Sequence, residues 1–91
     1  MTSALMPTYV RADATFVRGE GVYLFDSTGC RVLDFTGGVA ALSLGHCHPH
    51  LVEALRQQAE KLWHTSNLFR ITEQERLAER LARCSFADVV F

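Results

Sequence analysis

The feature that most restricts how this chain can fold is the run Thr36-Gly37-Gly38-Val39-Ala40-Ala41-Leu42-Ser43-Leu44-Gly45, which holds three of the six glycines of the sequence. The run is apolar, yet that much glycine argues against a regular helix and against a simple strand. A backbone of this composition has to come close to something: another segment, a ligand or a second subunit. It matches neither phosphate-binding template, since Gly37, Gly38 and Gly45 form no Gly-x-Gly-x-x-Gly and no Walker A loop with its Lys and Ser/Thr.

What flanks the run sets its context. Upstream, Val22-Tyr23-Leu24-Phe25 and Arg31-Val32-Leu33-Asp34-Phe35 enclose Asp26-Ser27-Thr28-Gly29. An aspartate at the first turn position can accept from nearby amides, and Gly29 supplies the positive φ that re-enters the second strand, so the pattern predicts a β-hairpin. Residues 1–14 show no sustained period and contain Pro7, which reads as an extended arm.

Downstream, His48 and Pro49 open a helix, because the first helical turn leaves its amides unpaired and proline lacks one. Leu51, Val52, Leu55, Ala59 and Leu62 gather on one side of it, with Glu53, Arg56, Gln57 and Glu60 opposite. After a break at His64-Thr65-Ser66-Asn67, the spacing of Thr72-Glu73-Gln74-Glu75 predicts a capping box that opens a second helix. Leu77, Ala78, Leu81 and Cys84 form its apolar stripe, which places Cys84 in a core. The final Ala87-Asp88-Val89-Val90-Phe91 has the β-branched and aromatic character of a buried strand. A strand of that kind at the very end is expected to be the front of a longer protein.

The sequence has 91 residues, of which 48% are apolar and 21% charged, an ordinary globular composition. Nine Lys plus Arg against ten Asp plus Glu leave a net charge of −1, which gives no field to gather nucleic acid or an anionic membrane. No apolar run reaches the ~18 residues of a membrane span. Met1 to Tyr9 has no basic n-region with a following apolar stretch, so a cytoplasmic location is expected. Three cysteines, Cys30, Cys47 and Cys84, lack the pairing of a disulfide framework and read as reduced thiols.

Chemistry concentrates at Gly45-His46-Cys47-His48-Pro49-His50. Metal binding there is opposed by the spacing: no Cys-x-x-Cys or His-x-x-x-His pair completes a tetrahedral set, and loop histidines capping the helix are the expected reading. Cys47 as a nucleophile lacks an orienting third group. Lys61, the only lysine, lies on the flank of its helix and reads as solvated, not as a buried amine with a lowered pKa. Taken from the residues alone, no catalytic, cofactor-binding or metal-ligating set is complete.

A family likeness rests on Leu5-Met6-Pro7-Thr8-Tyr9, Arg18-Gly19-Glu20-Gly21-Val22-Tyr23-Leu24-Phe25-Asp26, Leu33-Asp34-Phe35-Thr36-Gly37-Gly38-Val39-Ala40, Leu44-Gly45-His46-Cys47-His48-Pro49, Lys61-Leu62-Trp63-His64-Thr65-Ser66-Asn67 and residues 86–91. In this order they resemble the opening of the class III aminotransferases, and Leu-Met-Pro-Thr-Tyr with Leu-Trp-His-Thr-Ser-Asn point to the acetylornithine branch. The resemblance implies an α/β chain of fold type I. An arm (1–14) would lead into the N-terminal part of the small domain (15–62), with the start of the large pyridoxal-phosphate domain at 63–91.

The resemblance also implies a dimeric enzyme that moves the δ-amino group of N-acetylornithine to 2-oxoglutarate in arginine biosynthesis. Pyridoxal 5'-phosphate would be its cofactor, held with the catalytic lysine by residues beyond Phe91, so the 91 residues alone are expected to be inactive. Among the residues present, it assigns Tyr9, Gly38 and Val39 to the substrate and Ser66 and Asn67 to the subunit interface. Related ω-aminotransferases acting on succinylornithine, ornithine or 4-aminobutyrate share this scaffold. A different class of reading is a self-contained α+β interaction domain in which residues 37–45 contact a protein partner.

Overall fold

The computed structural model describes residues 3–91; Met1 and Thr2 of the expected arm lie outside the described residues. The order of elements is β1 (Phe16–Glu20), β2 (Tyr23–Asp26), β3 (Arg31–Leu33), α1 (Gly37–Ala40), α2 (Pro49–Ala59) and α3 (Thr72–Arg83). The chain divides into two compact units, the first ending at Ala54 and the second running from Leu55 to Phe91.

In the first unit the strands form an antiparallel meander in the order β1-β2-β3. The expected hairpin is β2 and β3, with Tyr23 opposite Leu33 and Phe25 opposite Arg31. Its turn forms as the sequence requires. The Asp26 carboxylate accepts from the Thr28 amide at 2.9 Å, the Thr28 hydroxyl at 2.7 Å and the Cys30 amide at 2.8 Å, while Gly29 takes φ +88°. These bonds hold the Asp26 carboxyl below its ordinary pKa, the Thr28 hydroxyl contributing most.

Sequence patterning did not resolve β1, because Arg18-Gly19-Glu20-Gly21 has too little apolar alternation to read as a strand. It pairs with β2 from Phe16 opposite Asp26 to Glu20 opposite Tyr23, with a bulge between Phe16 and Arg18. One face of the sheet is covered by its own arginines. The Arg18 guanidinium lies 3.7 Å from the Phe25 ring centre and Arg31 4.4 Å from that of Tyr23, so the charged heads stay wet over apolar rings.

Helix α2 begins at Pro49 as expected, with the His48 carbonyl accepting the first helical bond from Val52 at 2.9 Å. It ends earlier than its apolar period, after Ala59, where side chains close the turn. Gln58 Nε2 donates to the Leu62 carbonyl at 2.8 Å and Trp63 Nε1 to the Ala59 carbonyl at 2.7 Å.

Helix α3 differs from expectation at its start. Ile71, extended at φ −121°, occupies the cap position and no side-chain cap bond forms, so Thr72 is the first helical residue and the capping box is absent. The reason is register: the Ile71 carbonyl already accepts from Glu75, which moves Thr72 one place too far in to cap anything.

Two further expectations fail for one cause. Residues 87–91 carry no strand, and Cys84 is exposed, not in a core. A strand needs a neighbour to take its backbone bonds, and a helical stripe needs a surface to cover it. Neither is present among the described residues, none of which is buried. The accessible surface is 9094 Å², where a compact domain of this mass exposes roughly 5,300 Å². Within the second unit, Val90 and Phe91 come only as far as an open cavity shared with Leu77, Ala78 and Leu81 of α3.

Candidate functional site

A densely hydrogen-bonded polar group lies where β3 ends. Asp34 follows Leu33, and its amide still donates to the Val22 carbonyl at 2.8 Å, which fixes the side chain at the edge of the sheet. Its Oδ1 accepts from the Thr36 amide at 2.9 Å, the Thr36 hydroxyl at 2.8 Å and the Gly37 amide at 3.0 Å; Oδ2 meets His46 Nε2 at 2.6 Å. The carboxylate side chain is only 5% exposed and the imidazole 17%. The Thr36 hydroxyl first, then the Gly37 amide and His46, hold the Asp34 carboxyl well below the usual carboxylate range.

His46 is brought to Asp34 by the backbone. Gly21 donates to the His46 carbonyl at 3.0 Å and His46 donates to the Gly21 carbonyl at 2.7 Å, an isolated antiparallel bridge. Two glycines make the approach possible. A Cβ on Gly45 would sit 2.6 Å from the Gly21 oxygen, and one on Gly19 would sit 2.6 Å from Cγ of the His46 ring. The Arg-Gly-x-Gly strand and the Gly-His-x-His-Pro loop are therefore two halves of one clasp.

The clasp closes around α1. This single turn winds left-handed: φ is +54° at Gly37, +65° at Gly38, +63° at Val39 and +61° at Ala40, with Ala40 and Ala41 donating to the carbonyls of Thr36 and Gly37 at 2.9 Å. Glycine tolerates this, but a β-branched residue in the left-handed region is an outlier. At about 1–2 kcal/mol for each non-glycine residue, Val39 and Ala40 together place roughly 2–4 kcal/mol of strain in the turn. Such strain persists only where surrounding bonds over-determine the backbone, and it concentrates where a segment faces a ligand. The expectation that this segment is neither regular helix nor strand is met by a wrong-handed turn, with Val39 91% exposed at its crest.

The sequence-derived site residues fall in different places. Gly38 and Val39 share the strained turn. Tyr9 is an exposed arm residue whose ring is faced by the Arg11 guanidinium at 5.9 Å. In the second unit, Ser66 takes φ +71° and opens a turn, its carbonyl accepting from Phe69 at 3.3 Å, with Asn67 exposed beside it.

Helix capping by histidine holds for His48, whose Nδ1 accepts from the His50 amide at 3.2 Å, but not for His46, which the bridge to Gly21 turns toward Asp34 instead. No group of three or more His, Cys, Asp or Glu among the described residues is placed to hold a metal. Asp34 and Gly19 were missed as site residues. The signal for the first was Asp34-x-Thr36-Gly37, where an aspartate can bond amides two and three residues on. The partnership with His46 has no local signal.

The clasp positions a segment. Both oxygens of Asp34 are engaged, and no nucleophile with a base and orienter accompanies them. A pyridoxal cofactor does not fit the residues present: Lys61, the only lysine, is exposed in the turn after α2. Among the described residues, no helix is long and apolar enough to cross a membrane.

The sequence pattern of the family Aminotransferase class-III matches residues 6–91. The acetylornithine aminotransferase of Agrobacterium fabrum is 59% identical over 87 residues, covering 96% of this chain and 22% of that protein. The N-acetylornithine aminotransferase structure from Stenotrophomonas maltophilia superposes with a TM-score of 0.84 at 43% identity, over 89% of this chain and 22% of that one. A Toxoplasma gondii ornithine aminotransferase, with partial occupancy of PLP at its active site, gives a TM-score of 0.85 at 31% identity over 94% of this chain and 20% of that one. The chain thus spans about a fifth of the length of the relatives it matches.

Proposed function

The chain belongs to the class-III aminotransferase family, with the fold of the N-terminal portion of these fold type I enzymes, and on that premise we propose that it forms the opening of an acetylornithine aminotransferase. The observation that carries the reading is the 59% identity to such an enzyme, sustained over 96% of the chain. It is supported by the structure at the strained turn, which offers Gly38 and an exposed Val39, a small aliphatic lining suited to an acylated chain.

In this reading residues 1–14 are an arm carrying Tyr9 to the substrate, 15–62 the start of the small domain and 63–91 the start of the large domain. Ser66 and Asn67 lie at the interface of a homodimer. The apolar faces left open here are covered by later sequence and by the second subunit, in a cytoplasmic enzyme of arginine biosynthesis. Pyridoxal 5'-phosphate, an electron sink for the carbanion formed during amino transfer, is held entirely by residues outside these 91. What the present residues contribute is binding and orientation at the far end of the amino donor.

The test is to assay the longer protein with 2-oxoglutarate and a series of donors, following glutamate formation. Transfer from N-acetylornithine with a higher kcat/KM than from ornithine or 4-aminobutyrate is expected. Absence of both pyridoxal absorbance and glutamate overturns the aminotransferase reading, whereas preference for free ornithine moves the chain to a neighbouring branch.

A further inference from the structure

We propose that Asp34 and His46 are positioning residues for donor selectivity: their pairing holds the left-handed turn Gly37–Ala40 and so sets where Val39 stands against the distal end of the donor. The inference rests on the functional reading above. Its own ground is the geometry. A turn with two non-glycine residues at positive φ relaxes unless something restrains it. The restraint at its entry is one carboxylate, whose Oδ1 takes the Thr36 amide, the Thr36 hydroxyl and the Gly37 amide. That carboxylate is itself anchored from the other side by His46 Nε2 at 2.6 Å.

His46 in turn cannot drift. Its backbone is bridged to Gly21 in both directions, and the bare Cα of Gly19 leaves just enough room for its ring. The clasp thus relays the rigidity of the sheet to a segment whose relaxed conformation would be different. Neither residue needs to touch the donor. Each acts through the turn, and the quantity it controls is discrimination between an acylated and a free distal amine, not the chemistry at the transferred amino group.

The experiment compares the longer protein with its His46→Ala, His46→Gln and Thr36→Val variants, measuring kcat and KM for N-acetylornithine and for ornithine, with pyridoxal absorbance as the check that each variant is folded and loaded. With His46→Ala the ratio of kcat/KM for the acetylated donor to that for ornithine is expected to fall on the order of tenfold, chiefly through KM for the acetylated donor, as sub-ångström displacement of a lining group would produce. His46→Gln, which keeps a donor toward Asp34, restores part of the ratio.

Thr36→Val removes one of the three bonds to Oδ1 without touching His46, so a smaller fall in the same ratio carries the test even where His46→Ala does not fold. Loaded variants whose ratio stays at the wild-type value, or whose kcat falls equally for both donors, overturn the positioning role alone. A wild-type enzyme that does not use N-acetylornithine overturns both this role and the functional reading on which it rests.

Discussion

At single residues, the sharpest constraints come from glycines that look alike in the sequence and differ in space. Gly29 and Gly45 both have positive φ, +88° and +79°. A Cβ on Gly29 meets nothing within 4 Å, whereas one on Gly45 would sit 2.6 Å from the Gly21 carbonyl oxygen, against backbone that cannot yield cheaply. Gly29→Ala should therefore cost about 1 kcal/mol for conformation alone. Gly45→Ala should cost about 3 kcal/mol, because a steric clash is added. Denaturant unfolding of the longer protein measures both, and equal losses would contradict the close approach.

Asp34 carries the other prediction at this scale. Its folded-state pKa is depressed, so its contribution to stability is present in full above the unfolded carboxylate value of about 3.9 and is lost as pH falls toward the lower folded value. The gap in unfolding free energy between wild type and Asp34→Asn should be constant from neutral pH down to about pH 5, then narrow on acidification. A gap that widens in acid would mean that the carboxylate is not the bonded species.

Among the elements, those whose ends are set by local chemistry were legible and those set by register were not. The Asp26 turn follows from four residues, and the start of α2 from the proline whose missing amide suits a first turn. Helix α3 was legible as a helix from its apolar stripe, but its cap was not. Whether Thr72 caps or enters the helix depends on a single residue of register, which the Ile71 carbonyl decides by accepting from Glu75.

Thr72→Ala should then shift stability by less than about 0.5 kcal/mol, instead of the ~1 kcal/mol that follows loss of a true cap. Thermal unfolding of the longer protein with and without the substitution distinguishes the two. Strand β1 shows the same limit from the other side: it exists by pairing with β2, not by any alternation of its own.

For the molecule as a whole, the governing fact is that no described residue is buried, although Phe35, Trp63, Leu68 and Phe86 are each more than four-fifths exposed. Apolar burial is what offsets conformational entropy, and a chain without a core has little to offset it. The isolated 91-residue chain is expected to unfold over a broad, non-cooperative range and to bind a hydrophobic dye, with weak near-ultraviolet circular dichroism. A sharp two-state transition of the monomer would instead support the self-contained domain.

The sequence by itself determined the hairpin turn, the start of α2 and, through motifs spread along the chain, the family. Each of these is written in residue types at short spacing, where side chain and backbone meet within a few positions. Only the tertiary structure decided what the glycine-rich run does. Its wrong-handed turn depends on a carboxylate just before the run meeting an imidazole just after it, twelve residues later, through a bridge to Gly21 that no local rule encodes. The physical reason is that strain of this kind is stable only when distant parts of the chain agree to hold it.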